Sequence, residues 1–253
     1  MTFRRLMIAA LLAPLALAAA CRSESACPTC QDVVTAVPWS APETHQYQLK
    51  DGNTIKGQAT FAVKQDGDRF VFTQSFKDDN GNTDDSSVTV DGATLKPIAE
   101  QRAITDSSVR NVVESDYQDV DKSKCSSGRI VQIKQTTFKP PSDQTPQSTR
   151  GNPLCVPEHA YDNDSSLFIW RAIKFEKGYT VDYKAVLANR RDTQMVTLHV
   201  RDQVKIDTAA GQVDAWELDI LADQRTQRAW FATTPDHRLL RYNNDSLVFE
   251  LQN

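Results

Sequence analysis

From His45 onward, apolar and polar residues alternate almost one for one. "IKGQATFAV" sets Ile55, Gly57, Ala59, Phe61 and Val63 on one side, and "RFVFTQSF" does the same for Phe70, Phe72 and Phe76. A period of two sends successive side chains to opposite faces of a strand, so one face is buried and the other is wet. That pattern belongs to antiparallel sheets. Asp66-Gly67, Asn80-Gly81 and Asp91-Gly92 punctuate the runs, and such pairs supply the backbone freedom of tight hairpins. Further strands are predicted at 109–116 and 129–138. In the second half, "YTVDYKAVL" alternates Tyr179, Val181, Tyr183, Ala185 and Leu187. A longer run carries Val196, Leu198 and Val200, then Val204 and Ile206, and "GQVDAWELDIL" puts Trp216, Leu218 and Ile220 on one face. Trp216 and Trp230 are expected to pack against each other across neighbouring strands. The proline-rich stretch 139–153 reads as a long surface loop. The acidic stretch 78–85 reads as a hairpin tip, because a calcium loop begun at Asp78 would meet Thr83 and Thr89 where it needs Gly and Glu.

One segment has the other period. "DNDSSLFIWRAIKFEKG" offers Asp164 or Ser165 as N-cap, Leu167, Ile169, Trp170 and Ile173 as an apolar stripe, and Gly178 beyond the end. It is predicted to be a single amphipathic helix, packed on the concave face of the sheet or plugging one end of it.

The N-terminus carries a processing signal. Arg4 and Arg5 precede an apolar run over residues 6–18, and small residues follow, the layout of an export signal too short to span a bilayer. Ala18-Ala19-Ala20-Cys21 resembles the lipobox of bacterial lipoproteins, with Ala18 at the position where leucine is usual. The resemblance implies that Cys21 receives a diacylglyceryl group and that the peptide is cut before it. The alternative is plain secretion. Organisation is therefore read as a lipoprotein signal peptide over 1–20, a tether over 21–42 and a single antiparallel β domain over 43–253. The protein is expected to be exported and lipid-anchored to a bacterial membrane, facing the periplasm or the cell exterior, because stacked acyl chains hold a soluble domain stably.

Four cysteines remain once Cys21 is set aside. An exported chain meets an oxidising compartment, so they read as disulfides. The favoured pairing is Cys125 with Cys155, closing about thirty residues for ~3–4 kcal/mol, and Cys27 with Cys30 locally. A thiol–disulfide role for Cys27 and Cys30 is the minor alternative; no βαβ pattern surrounds them.

The formal net charge is −4, and it becomes −6 once Arg4 and Arg5 leave with the signal peptide. That balance argues against nucleic acid as a partner. His45, His159, His199 and His237 are not at metal-ligand spacing. There is no G-x-S-x-G elbow and no glycine-rich phosphate loop. No catalytic residue, metal or cofactor is expected, and the chain is read as a non-enzyme.

The C-terminal half carries a family resemblance. "LFIWRAIKFEKG", "AAGQVDAWELDI" and "AWFATTPDHRLLRY" set out Arg171, Gly211, Trp216, Trp230, Phe231, Pro235 and Arg241 in order. This resembles an uncharacterised family of bacterial envelope proteins, a domain of unknown function, related in shape to the lipoprotein carriers and receptors of the LolA/LolB kind. The resemblance implies a mainly β fold, a large antiparallel sheet curled into a half-barrel with the helix near its concave face. In the LolA/LolB relatives that face holds acyl chains. Two readings compete. A cavity for a lipid or other apolar ligand would use Phe61, Phe70, Phe72, Leu167, Trp170, Trp216 and Trp230. A packed, non-catalytic structural lipoprotein would instead meet an envelope protein partner. An open apolar cavity of several hundred Å3 would favour the first, and close packing between sheet and helix the second.

Overall fold

The computed structural model describes residues 27–39, 42–209 and 211–252. The expected signal peptide and Cys21 lie outside the described residues. Eight strands follow one another as antiparallel neighbours: β1 (Glu43–Asp51), β2 (Thr54–Asp66), β3 (Arg69–Asp78), β4 (Thr83–Asp91), β5 (Pro97–Thr105), β6 (Arg110–Asp119), β7 (Arg129–Phe138) and β8 (Ser148–Cys155). A short β9 (Ala160–Asp162) leads into a 3-10 turn at Asn163–Ser165, the helix α1 (Ser166–Ile169) and a second 3-10 turn at Trp170–Ala172. A second meander completes the chain: β10 (Thr180–Leu187), β11 (Asp192–Thr208), β12 (Gly211–Ala222), β13 (Arg225–Ala232), β14 (Leu239–Asn243) and β15 (Val248–Leu251).

β15 pairs with β1, Tyr47 opposite Leu251, and so joins the two meanders into one sheet. The order of its fifteen strands is β8-β7-β6-β5-β4-β3-β2-β1-β15-β14-β13-β12-β11-β10-β9. The sheet is curled but not closed, as a half-barrel should be. It is antiparallel throughout except at one edge, where β9 runs parallel to β10. Side chains close the seam where backbone pairing does not. Val131 and Ile133 of β7 pack with Ala160, Val186 and Ala188, and the Gln135 side-chain amide donates to the carbonyl of Asn189 at 2.7 Å.

The curl explains why the helical segment departs from expectation. It lies inside the sheet, so it is buried all round: Leu167 through Ile173 are all buried, Arg171 included. A stripe with one wet face is therefore not what forms. α1 is a single turn whose N-cap is Ser165, as one reading of the sequence has it, but without a side-chain cap bond; the Asp162 carboxylate instead caps the preceding 3-10 turn, accepting from the N–H of Asp164 at 2.8 Å. Phe168 stacks on Phe72 with ring centroids 4.5 Å apart. Aromatic contacts of this kind bind the helical segment to β3 beyond simple burial.

Bulges decide where the alternation slips. A register shift between Leu49 and Lys50 leaves one extra residue on β2 and reverses the faces beyond it. Ile55, expected with Gly57 and Ala59, is 48% exposed as a result. A second shift between Val200 and Gln203 turns Ile206 to the convex face, where it packs with Ala215, Ala232 and Leu240. Trp230 belongs to that convex cluster, whereas Trp216 packs at the edge of the main core beside Phe175, with centroids 6.3 Å apart. The two tryptophans do not meet. Register explains it, since Trp216 is opposite Phe231 and Trp230 is opposite Glu217.

Three further expectations change. Residues 148–155 are an edge strand and not loop; Pro153 is tolerated there because an edge strand has one unpaired side. The stretch from Cys27 to Trp39 is no free tether. Gln31 donates its N–H to the Asp182 carbonyl at 3.0 Å and Thr35 to that of Ala172 at 2.8 Å. Val33 is fully buried, and Trp39 meets Phe72 edge-on at 5.3 Å. Finally, Cys27 and Cys30 form the expected local disulfide, but Cys125 and Cys155 are not bridged. The Cys125 thiol turns into its own turn and donates to the Arg129 carbonyl at 2.9 Å, while the Cys155 sulfur lies 3.8 Å from the Lys124 carbonyl. Among the described residues no helix is long and apolar enough to cross a membrane.

Candidate ligand cavity

The helical segment fills one end of the curl and leaves the other open. The open end is a cavity of about 660 Å3. Its floor comes from both halves of the sheet and from the helix: Leu167, Trp170, Tyr183, Val196, Ile220 and Phe249. Trp170 donates its indole N–H to the Tyr183 hydroxyl at 2.9 Å, which satisfies the one polar atom of the indole and fixes the ring. Tyr242 stands edge-on to Trp170, centroids 5.7 Å apart. The wall rises toward the β3–β4, β5–β6, β12–β13 and β14–β15 turns, represented by Asn82, Asp106, Ala222 and Asn244. An apolar base with a few polar groups near the mouth is the usual make-up of a small-molecule site.

Acidic chemistry lies on one wall. Glu100, Asp162 and Asp164 bring carboxylate oxygens within 4.8 Å of one another. Each already accepts a hydrogen bond from a neighbouring side chain. Ser115 donates to Glu100 at 2.5 Å, Tyr117 donates to Asp162 at 2.5 Å, and Arg102 donates to Asp164 at 3.0 Å. Arg102 also makes a two-pronged pair with Asp84 at 2.8 and 2.6 Å. Burial, reinforced by the charges of Asp162 and Asp164, pushes Glu100 up to about 10. Burial and the Asp164 charge push Asp162 up to about 7. Burial and mutual repulsion therefore favour proton uptake at Glu100 and Asp162.

A second ion pair lies beneath the floor. Arg171, 4% exposed, donates to both carboxylate oxygens of Glu43 and to the carbonyl of Asp236 at 2.9 Å. Its guanidinium also lies 5.2 Å from the Trp39 ring centroid. It thereby ties the helical segment to β1 and to the β13–β14 turn.

Of the residues read from the sequence as ligand-binding candidates, Leu167 and Trp170 line the cavity. Phe61, Phe70 and Phe72 belong to the packed end, against Phe168 and Trp39. Trp216 and Trp230 lie away from it, Trp230 on the convex face under Arg241. Tyr183, Ile220, Tyr242 and Arg102 were not singled out. Alternation had placed Tyr183 and Ile220 on buried faces, but no local signal separates a buried residue that lines a space from one that fills it.

A solved structure resembles this one: the crystal structure of a β-barrel-like protein of the domain of unknown function DUF1849 from Brucella abortus. It is 10% identical, with 83% of this chain and 95% of that chain covered and a TM-score of 0.36. No sequence among the curated proteins matches the chain. Residues 45–246 match the family described as protein of unknown function DUF3108, and the chain belongs to that family.

Proposed function

We propose that this protein is a non-catalytic, lipid-anchored envelope protein that binds an apolar or amphipathic ligand inside its curled sheet. The observation that carries the reading is the cavity itself, about 660 Å3 of space over Trp170, Tyr183, Ile220 and Phe249. The packed reading describes only the other end of the curl, where Phe72, Phe168 and Trp39 leave no comparable space. Anchoring is supported by the lipobox-like Ala18-Ala19-Ala20-Cys21. The Cys27–Cys30 disulfide suits an oxidising compartment.

Binding is tested with N-phenyl-1-naphthylamine, a neutral dye that brightens in apolar sites. It is expected to bind the purified protein saturably. Ala222→Trp, a half-buried position on the cavity wall, fills the mouth without touching the packed end. We expect it to weaken the dye by about tenfold, the scale of losing about 1.4 kcal/mol, with little change in Tm. Equal dye binding by both proteins, or none by the wild type, would remove the reading. Lipidation of Cys21 is checked by mass spectrometry of the membrane-extracted protein.

A further inference from the structure

The charges around the mouth are sorted by wall. On the β3–β6 side, Asp78 and Asp106 stand where the turns meet the cavity. Each carboxylate is fixed by N–H groups of its own turn. Asp78 accepts from Asn82 at 2.8 Å and Asn80 at 2.9 Å, and Asp106 accepts from Ser108 at 2.7 Å and Val109 at 2.8 Å. For Asp78 desolvation is the largest single influence but is outweighed by the bonds from Asn82 and Asn80 together, and for Asp106 the Ser108 bonds lead, so both carboxyls are held below the usual carboxylate range. Arg102, which also lines the cavity, is spent on Asp84 and Asp164. This wall is therefore net negative.

The opposite wall carries the other sign. The cavity shares Gln194, Ala222 and Gln227 with an adjoining basin of about 670 Å3. Arg190 and Arg225 flank that basin, and Asp223 is its one acid. Both arginines are exposed, and among the described residues neither ion-pairs with a carboxylate. In the sheet order β2, β1, β15 and β14 separate β3 from β13, so the curl sets Arg225 across the aromatic floor from Asp78, with Arg190 nearer the seam that Gln135 and Asn189 close.

We propose that the cavity takes a zwitterionic amphiphile. Its chain lies on the Trp170–Phe249 floor, its anionic group (a phosphate ester in the simplest case) on the Arg190 and Arg225 side, and its ammonium group toward Asp78 and Asp106. This rests on the cavity reading and adds the class of the head group. A singly charged head always faces one wall of its own sign, and like-charge juxtaposition is costly where screening is incomplete. A head with both signs matches both walls.

The test compares four amphiphiles with the same twelve-carbon chain, each kept below its micelle-forming concentration, as displacers of N-phenyl-1-naphthylamine in low salt. Dodecylphosphocholine is expected to displace the dye at about tenfold lower concentration than dodecyltrimethylammonium, dodecanoate or dodecyl maltoside. In the double variant Arg190→Glu, Arg225→Glu that lead should vanish and dodecyltrimethylammonium should gain. Both positions are exposed, Arg190 in a turn and Arg225 at the start of β13, and an unchanged Tm confirms the fold. Four equal displacers, or a lead for any other head, would overturn the inference and leave the cavity reading standing. A dye that never binds would end both.

Discussion

Arg171→Ala is expected to lower stability by about 3–5 kcal/mol, the range for removing one partner of a buried ion pair. That corresponds to a Tm lower by roughly 10 °C for a domain of this size. The arginine satisfies a carboxylate and a backbone carbonyl at once, and it covers one face of Trp39. Truncation strands all three groups inside the fold. The pair also has an acid signature. Burial alone would raise Glu43, but His45, 3.8 Å away, and the hydrogen-bonded Arg171 guanidinium outweigh it and hold the carboxyl at about 2. A depressed carboxyl contributes stability above its unfolded value, near 4.5, and that contribution is lost as pH falls toward 2. In Arg171→Ala the acid-side loss should therefore shrink along with total stability. Urea denaturation at pH 7 and pH 3.5 reads both effects. A change below about 1 kcal/mol at pH 7 would show that the pair is no stronger than an exposed one.

Glu100→Gln should act in the other direction. Glu100 is 5% exposed, and its carboxyl is pushed from 4.5 up to about 10, by burial first and by Asp162 and Asp164 next. A raised carboxyl holds its proton in the folded chain and releases it when unfolded. Its contribution is fully present below 4.5 and declines as pH rises from there toward 10. Each pH unit in that window costs about 1.4 kcal/mol. Glutamine keeps a hydrogen-bonding group beside Ser115 and Asp164 but has no proton to hold. At pH 8 the variant is expected to be more stable by roughly 3–5 kcal/mol, and near pH 4.5 the two proteins should coincide. Thermal melts across pH 4.5–9 decide it; parallel profiles would mean that Glu100 is ionised in the folded protein.

Local chemistry in the chain already specified most of the sheet. Alternation at Ala59, Phe61 and Val63, and again at Val196, Leu198 and Val200, marks buried faces that the fold uses, because a pleated strand converts a period of two directly into an inside and an outside. Asp66-Gly67 and Asn80-Gly81 turn the chain where their backbone freedom is needed, with Gly67 and Gly81 both at positive φ. Family membership and the Cys27–Cys30 disulfide accord with what the sequence suggested.

What the sequence could not set were quantities that depend on two distant segments at once. Ile55 and Ile206 changed faces because bulges depend on the partner strand. Cys27–Trp39 packed instead of tethering because Val33 and Trp39 found apolar neighbours from β3 and the helical segment. The cavity is the clearest case. Its floor joins Leu167 and Trp170 to Tyr183, Ile220, Tyr242 and Phe249. Periodicity in the sequence marks Leu167, Trp170, Tyr183 and Ile220 as buried. Whether they enclose a space or fill one was decided only by how tightly the fifteen strands curl around a single-turn helix, since burial is a property of a strand and its pattern, but a void belongs to the whole assembly.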